Sequence, residues 1–257
     1  MNIFVITLSN SKERQAHMQR QLDNYDLKYD FIYGVDGRKL TKTEINNLYD
    51  PNKAKNFQRE LNYTEIGCSL SHKLVYKKMI EENIDRAIVL EDGISLFSDF
   101  FSIINYFNDI KINKTIIKLD RCYSSQPNND NFKSGKFTPW HRVNFTENYY
   151  IGQPLNDPYL AGAYYIDLKA AYIIYSLMPK IFCVADGWWF FRKKVNFRVI
   201  NTALTWRNWA HIPSIMSAKN KIEQVETMEK EVILLKYFKK AINKIRKIIK
   251  CSLLFLK

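Results

Sequence analysis

The residues best placed to do chemistry stand at the end of an apolar run, where Ala87, Ile88, Val89 and Leu90 are followed directly by Glu91 and Asp92. A continuous apolar stretch predicts a strand buried on both faces. Such strands belong to parallel sheets, whose ligands bind at the carboxyl ends. Two carboxylates at that edge suit a hard divalent ion such as Mg²⁺ or Mn²⁺, which takes oxygen ligands, keeps waters and bridges a carboxylate to substrate phosphates. The same residues also suit an ordinary acidic turn, so their surroundings must decide.

The elements that would position them alternate between strand and helix. Ile3 to Leu8 reads as a strand, Ser11 to Asn24 as a helix capped by Ser9 or Ser11, and Tyr29 to Ile32 as a second strand that closes a βαβ unit near Asp36 and Gly37. Thr41 and Glu44 have the spacing of a capping box for a short helix to Leu48. Asp50 to Tyr63 looks polar and irregular, and a helix from about Thr64 to Glu82 feeds the acidic strand. Beyond it, Phe97 to Phe107 and Leu168 to Met178 read as helices. Thr115 to Leu119, Tyr164 to Ile166 and Val195 to Ile200 read as strands, and Cys122 to Pro158 as a long loop rich in Asn, Ser, Pro and Gly. The alternation predicts an α/β fold with a mostly parallel, Rossmann-type sheet flanked by helices.

At 257 residues the chain is long enough for one α/β domain, here residues 1 to 215, plus an appendage over 220 to 257. The opening segment reads as a strand rather than a signal peptide, and no segment is apolar for long enough to cross a bilayer. Cys68, Cys122, Cys183 and Cys251 lack paired metal-ligand spacing and fit reduced thiols of a cytosolic protein. A net charge of +13 calls for an anionic partner. The basic residues from Lys236 to Lys257 come with no acid among them, opposite an apolar stripe of Leu234, Phe238, Ala241, Ile242, Ile245, Ile248 and Ile249. This pattern predicts an amphipathic basic helix for an anionic membrane surface, or one whose apolar face packs on the domain or on a second copy.

Separated stretches then converge on one family. Thr64-Glu65-Ile66-Gly67-Cys68-Ser69-Leu70-Ser71-His72 and Leu90-Glu91-Asp92, with Val35-Asp36-Gly37 upstream, closely resemble glycosyltransferase family 25, the lipooligosaccharide galactosyltransferase-like enzymes. Ile6-Thr7-Leu8 with Arg14 is similar to that family's first strand and loop. Gly162 to Ile166 and Asp186-Gly187-Trp188 are similar to its later glycine-aromatic and acidic-aromatic segments. The resemblance implies a GT-A-type, inverting transferase that uses a UDP-sugar donor and builds bacterial surface saccharide. Where the family usually has Leu-Glu-Asp-Asp, this chain has Leu90-Glu91-Asp92-Gly93, one carboxylate short, which opens the way to weaker metal binding or a metal-independent reaction.

On this resemblance Asp92 becomes the metal ligand, for Mn²⁺ or Mg²⁺, with Glu91 a second ligand or a support. Thr7, Leu8, Arg14, Asp36 and Glu65 become donor-binding candidates. Inversion in one displacement needs a carboxylate to take the acceptor proton, and Asp186 is the candidate base, with Trp188 and Trp189 as a platform for a sugar face. Other readings stand beside these: Asp186 as a helix N-cap, Asp36 as a plain Asp-Gly turn, Arg14 as a solvated helix residue, Glu65 as a first-turn acid and His72 as a satisfied buried histidine. His211 is a further metal-ligand candidate, and Trp140, Trp206 and Trp209 read as core or rim. The expectation is a peripheral enzyme on the cytoplasmic face of the membrane, adding galactose to a lipid-linked oligosaccharide. A nucleic-acid-binding protein is disfavoured, because the basic excess peaks in an apolar-faced tail instead of interleaving with stacking aromatics. A degenerate transferase that binds nucleotide sugar or saccharide without turnover is the other rival, prompted by Gly93.

Overall fold

The computed structural model describes residues 1–111, 113–120, 137–138, 142–155 and 159–207. In chain order the strands are β1 (Asn2–Thr7), β2 (Asp30–Tyr33), β3 (Arg86–Glu91), β4 (Ile94–Leu96), β5 (Thr115–Lys118), β6 (Val143–Asn144), β7 (Tyr150–Gly152), β8 (Ala163–Asp167), β9 (Asn196–Ile200) and β10 (Thr205–Arg207). The helices are α1 (Lys12–Asp23), α2 (Lys42–Leu48), α3 (Pro51–Phe57), α4 (Tyr63–Glu81), α5 (Asp99–Tyr106), α6 (Leu168–Leu177) and α7 (Trp188–Phe191). The 220–257 helix, His211, Trp209, Trp140 and most of the 122–158 loop lie outside the described residues.

Strand order in the main sheet is β2-β1-β3-β8-β5-β9-β7-β6. From the pairings, β2, β1, β3, β5, β9 and β6 run one way, and β8 and β7 run the other. The expected mostly parallel sheet is therefore present, with antiparallel β8 inserted beside the acidic strand. Alternation sorts the strand residues onto two cores. Phe4, Ile6, Ala87, Val89 and Tyr164 face α4 and α6, while Ile3, Val5, Ile88, Leu90 and Tyr165 face α1 and α5. Ala87 to Leu90 are fully buried, as an apolar run predicts for a strand covered on both sides.

The details that depart from expectation have local causes. Asp50 to Tyr63 is irregular only from Gln58 to Asn62, because Asp50 caps α3 by accepting from the Lys53 N–H at 2.9 Å and Pro51 sits in the first turn. Neither signal depends on amphipathic spacing, which this stretch lacks. Ser11 occupies the N-cap of α1 without a side-chain cap bond. The Gln15 amide instead donates to the Leu8 carbonyl at 2.8 Å. The predicted helix from Phe97 starts two residues later, because β4 pairs antiparallel with β10 just before it. The capping box of Thr41 and Glu44 forms as its spacing predicts, and Asn62 with Glu65 makes another at the start of α4.

One close approach fixes α4 against the turn after β2. A Cβ on Gly67 would lie 2.5 Å from the Gly37 nitrogen and 2.6 Å from the Val35 carbonyl oxygen. Ser71, one turn further on, donates to the Gly67 carbonyl at 2.7 Å and accepts from the Val35 N–H at 2.9 Å. Alanine is favoured over glycine in a helix by about 1 kcal/mol. Overpacking against backbone, which cannot swing aside, costs about 1–3 kcal/mol or more. Gly67→Ala should therefore lower stability by a net ~1 kcal/mol or more, read as a fall in the urea midpoint; a raised midpoint would mean that the approach is looser than described.

Candidate active site

The acidic end of β3 is assembled by strand register. Ile6 pairs with Glu91 across the parallel β1–β3 ladder, and the Asp92 N–H donates to the Ile6 carbonyl at 3.1 Å. Thr7 and Asp92 therefore leave adjacent strands side by side. The Thr7 hydroxyl donates to Asp92 Oδ2 at 2.7 Å, and Arg14, from the first turn of α1, donates to Oδ1 at 2.9 Å. Burial pushes the Asp92 carboxyl up, against the pull of these two donors.

Glu91 is compensated from two other directions. The β4–β10 pairing carries Arg207 onto Oε2, while His72 Nε2 lies 3.4 Å from Oε1. Burial by itself would raise the Glu91 carboxyl, but Arg207 and His72 outweigh it and bring it down to about 2. Behind His72, its Nδ1 lies 2.9 Å from the Tyr164 hydroxyl, which donates to Tyr76. Cys68, one helical turn before His72 on α4, donates its thiol to Glu91 Oε1 at 4.0 Å, and burial holds that thiol well above its ordinary pKa. Cys68, His72 and Glu91 are the described group that could hold a metal ion, with ligand atoms within 4.8 Å of one another.

A further acid at this edge, Asp120 just after β5, was not anticipated. It is buried against Lys118 and accepts from the Gly162 N–H at 2.9 Å, and burial pushes its carboxyl up to about 6 despite the lysine. Its signal was available: Ile116-Ile117-Lys118-Leu119-Asp120 repeats the pattern of an apolar strand ending in an acid. Arg207 had no such local signal, since only pairing with β4 brings it to Glu91.

The remaining candidates scatter around this centre. Asp36 caps the 3₁₀ turn Gly37–Lys39 and takes both its oxygens to the Arg38 guanidinium at 2.7 Å, so the turn reading describes its contacts. Glu65 is buried in its capping box and gripped by Arg59 at 2.6 and 2.9 Å. The Leu8 carbonyl is used by Gln15 and by the Ser11 N–H. Asp186 is not a side-chain cap for α7, whose N-cap is Gly187. It accepts instead from the Leu160 N–H at 3.0 Å, pinning the segment that enters β8. Trp188 is no sugar platform: it is fully buried, its indole donates to the Leu160 carbonyl at 2.7 Å, and its ring packs on Tyr164 and Phe197. Trp189 stacks on Phe57, and Trp206 lies over Phe97.

The geometry also bears on the metal. A hard Mg²⁺ or Mn²⁺ wants several open oxygens. Here both Asp92 oxygens are engaged by Thr7 and Arg14, Glu91 Oε2 is engaged by Arg207, and residue 93 is glycine. These side chains do not fit an oxygen-lined Mg²⁺ or Mn²⁺ site. An ion on Asp92, as the metal-ligand reading requires, would share that carboxylate with Thr7 and Arg14.

The Glu91 pairing predicts a pH signature. A carboxyl held below its ordinary value of 4.5 contributes stability that is fully present above that value and is lost as pH falls toward 2. The unfolding free energies of the wild type and Glu91→Gln should therefore differ near neutrality and converge on acidification below about pH 4, measured by urea titration at each pH. A gap that persists in acid would mean that the charge pairing is not its source.

Comparisons with known proteins bear on the whole arrangement. The family model described as glycosyltransferase family 25 (LPS biosynthesis protein) matches residues 1–188. Procollagen galactosyltransferase 2 from Homo sapiens is 30% identical over 106 residues, covering 38% of this chain and 16% of that protein. Inactive glycosyltransferase 25 family member 3 from Homo sapiens is 28% identical over 106 residues, covering 38% of this chain and 17% of that protein. The matched stretch thus spans less than a fifth of the length of these relatives. A solved glycosyltransferase involved in the glycosylation of the major capsid of PBCV-1 aligns with a TM-score of 0.40 at 10% identity, over 89% of this chain and 98% of that one. With the family match running from the first strand through the Asp186 segment, the chain belongs to glycosyltransferase family 25.

Proposed function

We propose that this chain is a glycosyltransferase that moves galactose from a UDP-sugar to a growing lipid-linked oligosaccharide of the lipooligosaccharide or lipopolysaccharide type, with inversion at the anomeric carbon. The observation that carries the reading is the convergence of Thr7, Arg14, Glu91, Asp92 and Arg207 at the carboxyl edge of β1 and β3, where α/β sheets bind nucleotides. The family model's description supports the saccharide class, and the name of the procollagen galactosyltransferase supports the sugar.

Departure of UDP develops negative charge while the sugar passes through an oxocarbenium-like state. Guanidinium forks match phosphate oxygens, and Arg14 and Arg207 are both oriented at this edge by a carboxylate partner. In this reading they neutralise the diphosphate, with Asp92 and Glu91 acting through them. Asp36, just past β2 at the same edge of the sheet, is the proposed contact for uracil or ribose. Thr7 and Leu8 line the donor's approach, and Glu65 acts by anchoring Arg59. Asp186 takes the proton from the acceptor hydroxyl, and its bond to Leu160 sets the direction of its carboxylate.

The second reading, a fold that binds donor without turnover, is favoured by Gly93 and by the relative named inactive. Titrating the protein calorimetrically with UDP, with and without Mn²⁺, and assaying UDP-galactose turnover separates the possibilities. UDP binding of similar affinity without metal, together with turnover, is the expected result. Strictly Mn²⁺-dependent binding would return the diphosphate to a metal, and binding without turnover would establish the second reading. Asp186→Asn should lower kcat by about 10²- to 10⁴-fold while UDP affinity stays near wild type; an unchanged kcat would remove Asp186 from the base role.

The proposed location is the cytoplasmic face of the membrane, where the basic segment from Lys236 to Lys257 would hold the site near a lipid-linked acceptor. No helix of the described residues is long and apolar enough to cross a membrane. Deleting that segment should abolish sedimentation with phosphatidylglycerol-containing vesicles and leave UDP binding intact. Retained sedimentation would reject the tail as the anchor.

A further inference from the structure

Beside the Arg207–Glu91 pair lies a set of side chains that the transfer chemistry above does not use. Cys68 and His72 stand four residues apart on α4, so both project from one face of the helix toward the end of β3. There they meet a single oxygen, Glu91 Oε1, at 4.0 Å from the thiol and 3.4 Å from His72 Nε2. Arg207 takes the other oxygen, Oε2. The division of Glu91 is therefore clean, with one oxygen for the guanidinium and one for the Cys-His pair.

The hydroxyl behind His72 serves either use of its ring. Tyr164 and Tyr76 are buried and hydrogen-bonded to each other. The Tyr164 hydroxyl, 2.9 Å from His72 Nδ1, can donate to that nitrogen or accept from its N–H. With the proton on Nε2 the ring donates to Glu91 Oε1 at 3.4 Å; with the proton on Nδ1 the Nε2 lone pair is open to a cation shared with Glu91, in a site that is 2% exposed at His72. An imidazole whose far N–H is fixed by a second group, with its near nitrogen aimed at a carboxylate and a thiol, is also the usual arrangement of a metal-bound histidine.

We propose that Cys68 Sγ, His72 Nε2 and Glu91 Oε1 form a binding site for a borderline-soft divalent ion of the Zn²⁺ or Co²⁺ type. The donor set of one thiolate, one imidazole and one carboxylate suits such an ion and not Mg²⁺ or Mn²⁺. Around a tetrahedral zinc, with bonds of about 2.0–2.3 Å, neighbouring ligand atoms stand roughly 3.3–3.8 Å apart. The 3.4 Å between His72 Nε2 and Glu91 Oε1 lies in that range, the 4.0 Å between the thiol and Oε1 lies just beyond it, and all three ligand atoms are within 4.8 Å of one another, so the set closes by an inward movement of the thiol. Binding replaces the S–H proton by the metal and releases it to solvent, and three protein ligands leave a fourth position for water or a substrate oxygen. The inference does not rest on the identity of the sugar donor, because the site is defined before any nucleotide arrives.

The test uses the full-length protein, stripped with chelator and titrated with Co²⁺ without nucleotide or sugar. One equivalent should bind, with a near-ultraviolet thiolate-to-cobalt charge-transfer band and the visible spectrum of a tetrahedral ion, and Zn²⁺ should displace it. Cys68→Ser, an isosteric change with the fold checked by circular dichroism, should lose the charge-transfer band. Tyr164→Phe, which keeps the imidazole and removes the hydroxyl behind it, should weaken Co²⁺ binding by about 10- to 100-fold. A wild type that binds no Co²⁺, or a charge-transfer band that survives Cys68→Ser, would overturn the proposal. So would nitrogen-15 NMR showing His72 Nε2 protonated in the presence of excess Zn²⁺, since that nitrogen would then hold a proton and not the metal. UDP binding measured on the same preparations keeps this outcome separate from the transferase reading, which stands or falls on the nucleotide titration.

Discussion

A buried strand that ends in two carboxylates must find cations for them, and the edge of the sheet is organised around that requirement. Ala87 to Leu90 are sealed from water on both faces, so Glu91 and Asp92 emerge where desolvation is already severe. Removing one partner from a buried pair costs about 3–5 kcal/mol, whereas an exposed pair such as Lys77 with Glu81 is worth at most about 1 kcal/mol. Compensation at Glu91 and Asp92 is therefore obligatory, and compensation on the outer face of α4 is optional. Arg14 arrives on the helix that follows β1, and Arg207 arrives on a strand that pairs with β4 immediately after the acids.

The same requirement explains why α4 is held so tightly. Its N-terminus is closed by the Asn62–Glu65 capping box, with Arg59 gripping the same carboxylate. Gly67 permits backbone contact with Gly37, and Ser71 ties that contact to Val35. Rotation of the helix is then set within a fraction of a turn, and the face carrying Cys68 and His72 is turned to Glu91. Freedom at Gly67 would not merely loosen packing. It would move the imidazole away from the carboxylate that it helps to ionise.

Antiparallel β8, inserted between β3 and β5, has a matching role. It brings Gly162 to both neighbours, where the Gly162 carbonyl accepts from the Glu91 N–H at 2.8 Å and its own N–H donates to Asp120. The segment leading into β8 is fixed by Asp186, which accepts from the Leu160 N–H, and by the indole of Trp188, which donates to the Leu160 carbonyl. Leu160 adopts a φ of 70°, a left-handed conformation that a branched side chain keeps only when its surroundings enforce it. Asp186 and Trp188, read from the sequence as a base and a sugar platform in one acidic-aromatic segment, thus both hold one bend beside the acidic edge.

The amino-acid sequence by itself determined the elements and their edge chemistry, because the information is local. The apolar run before Glu91, the capping box at Thr41, and the alternation of strand and helix all act within a few residues, and each is present as predicted. The block from Thr64 to His72 likewise pointed to the family that the match over residues 1–188 shows, since it is one contiguous stretch of chain. Only the tertiary structure decided which charges meet. Arg207 reaches Glu91 across 116 residues and Thr7 reaches Asp92 across 85, and neither pairing leaves a periodicity in the chain. Trp188 looked like a sugar platform because composition cannot distinguish a ring facing solvent from one closing a core. Burial and long-range ion pairing depend on how strands order and which way they run, and those properties belong to the folded sheet as a whole.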